Sequence, residues 1–131
     1  MEMSIRFQGN KKVAAEFAGF TVATDQPKSE GGEGTAPSPF ELFLASLGTC
    51  AGFFVLSFCQ KRGLPTEGIE LLQTTDWDPA KHLVSKVTLE IRVPPSFPEK
   101  YRESLVHAAN LCTVKRHLQE PPKFELVTRV A

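Results

Sequence analysis

Residues 42–59 contain eighteen consecutive positions without a charge, and any fold for this chain has to dispose of them. A run of that length and apolarity either crosses a membrane or forms a helix in the middle of a core. Ser46, Gly48, Thr49, Gly52 and Ser57 interrupt it with small or polar groups. No second apolar segment accompanies it, and the short strands around it need a hydrophobic partner. The expectation is a buried central helix and no membrane span.

The ends of that helix are written locally. Ser38-Pro39-Phe40-Glu41 has capping-box form, with Ser at N-cap, Pro at N1 and Glu at N3. Lys61 and Arg62 suit the negative pole of the helix dipole, Gly63 suits the position after the C-cap, and Pro65 forbids continuation. The helix is therefore expected over residues 39–62.

On either side the pattern turns to strands. Residues 3–7, 12–17 and 20–24 are short β-leaning segments, separated by Gly9-Asn10 and Ala18-Gly19, and read as an antiparallel meander. A Gly-rich loop, with Gly31-Gly32-Glu33-Gly34, leads into the helix. Residues 69–77 and 84–93 read as a second hairpin, in which Val87, Leu89, Ile91 and Val93 alternate with Thr88, Glu90 and Arg92. Ser96-Phe97-Pro98-Glu99 repeats the capping-box form and opens a second helix that Asn110 closes. Thr113 can cap a short third helix through Gln119, and residues 124–130 read as a last strand. The fold class expected is α+β, as a single domain over residues 1–131: antiparallel sheets around one long buried helix.

Charge narrows the function. Fifteen Lys plus Arg balance fifteen Asp plus Glu, which argues against a basic nucleic-acid surface. Zero net charge also protects little against self-association. The N-terminus shows no signal-peptide pattern. Three cysteines are too few and too widely spaced for a secreted disulfide scaffold, so a cytoplasmic, reducing setting is expected. There each cysteine is either an inert core residue or a working thiol.

Cys50 falls mid-helix and shares a face with Phe43, Ser46, Leu47, Phe53, Phe54 and Ser57. Phe43, Leu47, Phe53 and Phe54 are the candidate lining of an apolar substrate pocket. Burial among them raises a thiol pKa, and a mid-helix position gives Cys50 no help from the end of its own helix. Cys59, nine residues on, faces the opposite way and reads as plain core. Cys112 precedes Thr113 at a helix N-terminus, where thiolate is favoured. His82, His107 and His117 have no metal-ligand spacing, and no phosphate loop or Ser-His-Asp signature is present.

Two stretches carry a resemblance. Ser-Pro-Phe-Glu-Leu-Phe-Leu-Ala-Ser-Leu-Gly-Thr-Cys ends at Cys50, and Ala-Ala-Asn-Leu-Cys-Thr-Val-Lys-Arg-His-Leu places Cys112 sixty-two residues later. Together with the Gly-rich loop and the order of strands, they resemble the OsmC/Ohr family of osmotically inducible and organic hydroperoxide resistance proteins.

That resemblance implies an intertwined homodimer with a site at the subunit interface, and a thiol peroxidase reducing organic hydroperoxides. By position, Cys50 is the peroxidatic thiol and Cys112 the resolving one, paired in an intramolecular disulfide that a dithiol reductant (lipoyl-type or a small thiol) reopens. No metal, haem or other cofactor is implied. The family supplies an Arg from an early strand turn; Gln8-Gly9-Asn10-Lys11-Lys12 occupies that turn here, so Lys12 takes the role, with Lys11 and Arg6 as alternatives. Its partner Glu corresponds to Glu41, one residue later than usual, with Phe40 in the customary place. Glu41 is either catalytic or only the helix cap. Nine residues of helix span roughly 13.5 Å, so a catalytic Glu41 acts across the dimer. Thr113 stands where many family members have proline, a harmless departure because threonine can cap the helix by itself. The other readings are a small-molecule-binding or sulfur-handling protein without turnover, and a structural or membrane-associated protein with idle cysteines.

Overall fold

The computed structural model describes residues 1–131. Turn chemistry and a buried carboxylate organise the first of its two compact units, Met1–Ala45. Strands β1 (Ser4–Phe7), β2 (Val13–Phe17) and β3 (Phe20–Thr24) form the expected antiparallel meander in the order β1-β2-β3. The β2–β3 turn needs left-handed backbone at both central residues, and Ala18 (φ 48°) and Gly19 (φ 79°) supply it beneath the Phe17–Phe20 pair.

The Gly-rich loop is tied down rather than loose. Asp25 is fully buried; its carboxylate accepts from the Gln26 N–H at 2.7 Å and from the Thr35 N–H and hydroxyl at 3.1 and 2.6 Å. The hydroxyl of Thr35 is the largest of the effects holding the Asp25 carboxyl down at about 2. Gly32 is required by close approach: a Cβ there would lie 1.9 Å from the Gln26 carbonyl oxygen.

Helix α1 (Pro39–Lys61) starts in the first unit and runs on into the second, Ser46–Ala131. Its capping box forms as read: the Glu41 N–H donates to Ser38 Oγ at 3.2 Å, and the Ser38 N–H donates to Glu41 Oε1 at 3.0 Å. In the second unit, α1 packs on the antiparallel hairpin of β4 (Glu70–Asp78) and β5 (Leu83–Arg92), with a bulge at Asp76/Trp77. Val55 and Cys59 of α1 meet Phe97 and Leu105 at the centre of the core, flanked by Leu71 and Ile91 of the hairpin. Gly48 faces the hairpin, where a Cβ would meet Gln73 Oε1 at 2.7 Å.

Three expectations are corrected. The stripe Leu47, Ala51, Val55 and Cys59 is buried, but Phe53 and Leu56 on the other side of α1 are exposed, so the helix is covered on one face within a single chain. The second capping box does not form: a short 3₁₀ turn, Glu99–Tyr101, precedes α2 (Arg102–Ala109), and neither has a side-chain cap. Pro98 begins that turn, leaving Ser96 outside it. Residues 124–130 form no strand, because no sheet edge of the chain pairs with them; Phe124 and Leu126 are exposed.

Because the folded carboxyl of Asp25 titrates below an ordinary one, its contribution to stability is complete above the unfolded pKa near 4 and declines as pH falls towards 2. Asp25→Ala should lower the melting temperature at pH 7 and flatten the loss between pH 5 and pH 2. Parallel melting curves for variant and wild type across that range would remove Asp25 from the acid response. Gly32→Ala should also lower the melting temperature, since the atom it meets is backbone.

Candidate active site

Helix α3 (Thr113–Gln119) is seven residues long, and its first turn defines the site. Any α-helix leaves its leading N–H groups without intrahelical acceptors. The N-cap here is Cys112, with φ −46° and ψ 118°; the sequence had pointed to Thr113, which instead occupies the first helical position. Cys112 accepts the Lys115 N–H on its sulfur at 3.4 Å, and its carbonyl accepts the Arg116 N–H at 3.1 Å. Cys112 is buried, and its thiol donates to the Leu47 carbonyl at 3.8 Å, one turn before Cys50 on α1.

The remaining N–H groups of that turn are those of Thr113 and Val114. Their donation, with that of Val114 the largest effect, combines with hydrogen bonds from the Cys112 thiol and the Thr113 side chain to hold the Cys50 thiol below its ordinary value against the opposing effect of burial. Cys50 therefore does receive help from a helix terminus, though from α3 and not from its own helix. Sequence reasoning missed these donors because a backbone N–H has no residue-type signature. The Cys112 thiol has one proton, so it serves either Leu47 or Cys50 at a given moment.

Cys59 shows the contrast. It is completely buried, and burial pushes its thiol up, with Arg62 opposing more weakly. Its core assignment stands.

A cavity of about 520 Å³ has Cys112, but not Cys50, in its lining. Val87, Leu89, Ile91 and Val93, the alternating residues of the β5 segment, make one wall; Leu47 and Ala51 of α1 and Cys112 contribute others. Of the residues expected to line a pocket, Leu47 does so. Phe53 and Phe54 stack edge-on with each other at 5.3 Å, and Phe53 is 60% exposed. Phe43 lies at the start of α1, 5.7 Å from the Phe40 ring. Arg102 and Lys115, which the sequence reading did not single out, bring positive charge to the cavity, and Lys115 Nζ donates to Asn110 Oδ1 at 2.8 Å.

Two of the three cationic candidates of the first unit are engaged locally. Lys12 Nζ pairs with Glu33 at 3.0 Å and Arg6 Nε with Glu16 at 3.1 Å. Both pairs are partly solvent-exposed, where such pairs contribute little. Nowhere do three His, Cys, Asp or Glu side chains converge to hold a metal ion.

A model of the OsmC-like protein family matches residues 32–127, and the chain belongs to that family. Solved structures share the fold at low identity. A Psychrobacter arcticus protein named for osmotic stress induction and detoxification response is 21% identical, with a TM-score of 0.74 over 87% of this chain and 85% of that one. The organic hydroperoxide resistance protein OsmC of Legionella pneumophila is 17% identical, with a TM-score of 0.55 over 91% and 90% of the two chains. OhrB of Bacillus subtilis, an organic hydroperoxide resistance protein, is 16% identical, with a TM-score of 0.53 over 89% and 90%. No curated protein sequence matches at a significant level.

The opposite shifts of Cys50 and Cys59 predict an order of reactivity. With iodoacetamide on the reduced, folded chain, Cys50 should be alkylated at lower pH than Cys59, which should react only on unfolding. Peptide mass spectrometry reads both sites, and equal rates would refute the assignment.

Proposed function

We propose that the chain is a cysteine-based peroxidase for organic hydroperoxides, acting as a cytoplasmic homodimer. One observation carries the reading: the Cys112 thiol donates to the Leu47 carbonyl one turn before Cys50 on α1, and donors from that side hold the Cys50 thiol below its ordinary value. A peroxidatic thiol and its resolving partner need that combination of ionisation and proximity.

The thiolate of Cys50 attacks one oxygen of the hydroperoxide, the O–O bond breaks, and the alkoxide leaves as alcohol after taking a proton. Cys50 is oxidised to the sulfenic acid. The Cys112 sulfur then attacks that of Cys50, water departs, and a disulfide forms. An external dithiol of the lipoyl or small-thiol type restores both thiols and is itself oxidised to a disulfide. Sulfur provides the electrons throughout, so the cycle calls for no metal or haem. The aliphatic cavity beside Cys112 suits the organic portion of the substrate better than it suits hydrogen peroxide.

The second copy has physical support. Phe53 and Leu56 on α1 and Phe124, Leu126 and Val130 in the C-terminal segment are exposed, and burying such side chains gains about 1.5–3 kcal/mol each. An unpaired segment alternating Phe124-Glu125-Leu126 can add to a sheet edge of a partner. In that assembly Lys12 and Glu41 would serve the partner's site, as the family pattern implies. Lys12 would exchange its exposed pairing with Glu33 for that role.

Stoichiometric cumene hydroperoxide should consume titratable thiols and yield a Cys50–Cys112 disulfide on peptide mapping. Cys50→Ser should abolish turnover, and Cys112→Ser should stall at a dimedone-reactive sulfenic acid. Thiols that survive the peroxide would replace this reading with ligand binding or sulfur handling in the same cavity. Lys12→Ala should slow turnover; an unaltered rate would exclude that lysine.

A further inference from the structure

The cavity of the second unit has walls of one chemistry and end groups of another. Val87, Leu89, Ile91 and Val93 form a side about 20 Å long at the rise of a strand. No Asp or Glu lines it, whereas Arg102 and Lys115 both do. In a chain whose formal charges cancel, that is a local excess of positive charge over an aliphatic trough.

The two cations stand apart and are differently engaged. Arg102 opens α2 and Asn110 is its C-cap, about 12 Å further on at helical rise. Lys115 is held at that second end, where its Nζ donates to Asn110 Oδ1 at 2.8 Å. Arg102 belongs to none of the chain's ion pairs, and its neighbour Glu103 instead faces His107 at 3.9 Å. A guanidinium without a carboxylate partner presents a planar fork of donors that matches a carboxylate. Val106, one turn on from Arg102, lines the cavity while 53% exposed, so the rim beside the guanidinium is open to solvent.

We propose that this cavity binds a single-chain aliphatic carboxylate, its head on Arg102 and its tail along β5 towards Cys112. The ligand carries no peroxide, so the site goes beyond the peroxidase reading and stands without it. Apolar burial supplies the affinity, and the head group sets the orientation. Cys112 follows Asn110 closely in the chain and lines the cavity, so the tail covers it when the site is filled. Occupancy thereby controls access to one of the two thiols.

The test is calorimetric titration of the reduced full chain with dodecanoate below its micelle concentration. Saturable binding of one molecule per chain is expected. Arg102→Gln should weaken it about tenfold, through loss of a charge-assisted pair. Val106→Glu sets a carboxylate one turn from Arg102 and should weaken it similarly. Both positions are exposed, so melting temperatures should stay at the wild-type value. Dodecanol, without the charge, and dodecyltrimethylammonium, with the opposite one, should bind more weakly by about the same factor. Dodecyl phosphate separates the head groups: tighter binding than dodecanoate would overturn the carboxylate assignment. Absence of saturable binding, as when a second copy fills the trough, would overturn the site itself. So would an Arg102→Gln variant of wild-type affinity, or dodecanol binding as well as dodecanoate. Dodecanoate should also slow iodoacetamide alkylation of Cys112 in the wild type more than in Arg102→Gln at equal concentration; equal protection defeats the placement of the head. A chain inert towards peroxide can still bind dodecanoate, and an active peroxidase that ignores it would defeat only this site.

Discussion

The structure of the second unit turns on one junction, where the first turn of α3 meets the middle of α1. The junction is made by sulfur and backbone. The Cys112 thiol donates to the Leu47 carbonyl and its sulfur accepts from the Lys115 N–H, while the neighbouring N–H groups help hold the Cys50 thiol below its ordinary value. A helix start with unsatisfied donors is costly to bury, and a mid-helix thiol is a poor nucleophile by itself. Each supplies what the other lacks. Helix-terminus satisfaction and thiol activation are therefore one set of hydrogen bonds.

The apolar surfaces follow a related logic. The i, i+4 stripe from Leu47 to Cys59 is used within the chain, against Phe97, Leu105 and the β4–β5 hairpin. What remains exposed is the other side of α1, at Phe53 and Leu56, and the segment after Gln119. A single chain of this length has too little material to cover a 23-residue apolar helix all round. The same length and composition are compatible with a membrane span; the OsmC-like family match covers residues 32–127, which include all of α1.

Much of this was legible in the residues. Turn chemistry at Ala18-Gly19, the capping box at Ser38 and the alternation along β5 act over a few positions, so their elements fall within a residue or so of expectation. The alternating β5 residues also line the cavity, a role the residue pattern had suggested instead for Phe43, Phe53 and Phe54 beside Leu47. The misreadings needed information from elsewhere in space. Ser96 has a capping sequence, but Pro98 starts a 3₁₀ turn downstream of it. Residues 124–130 have strand composition, yet a strand exists only where an edge accepts it. The cysteines announced themselves by type and order, whereas the donors to Cys50 are backbone groups brought in by a chain reversal sixty residues away.

Cys50 and Cys59 make the general point within one helix. They are the same residue type, nine positions apart, and both are removed from solvent to a substantial degree. Burial raises each thiol. For Cys59 that effect prevails, because only the positive charge of Arg62 opposes it, and the sulfur remains an apolar filler beside Val55 and Leu105. At Cys50 the N–H groups of α3 reverse the balance. Apolarity of the surroundings thus does not decide whether a cysteine is inert or reactive. What decides is whether oriented donors reach the sulfur, and in this fold their orientation is fixed by the cysteine that caps the neighbouring helix.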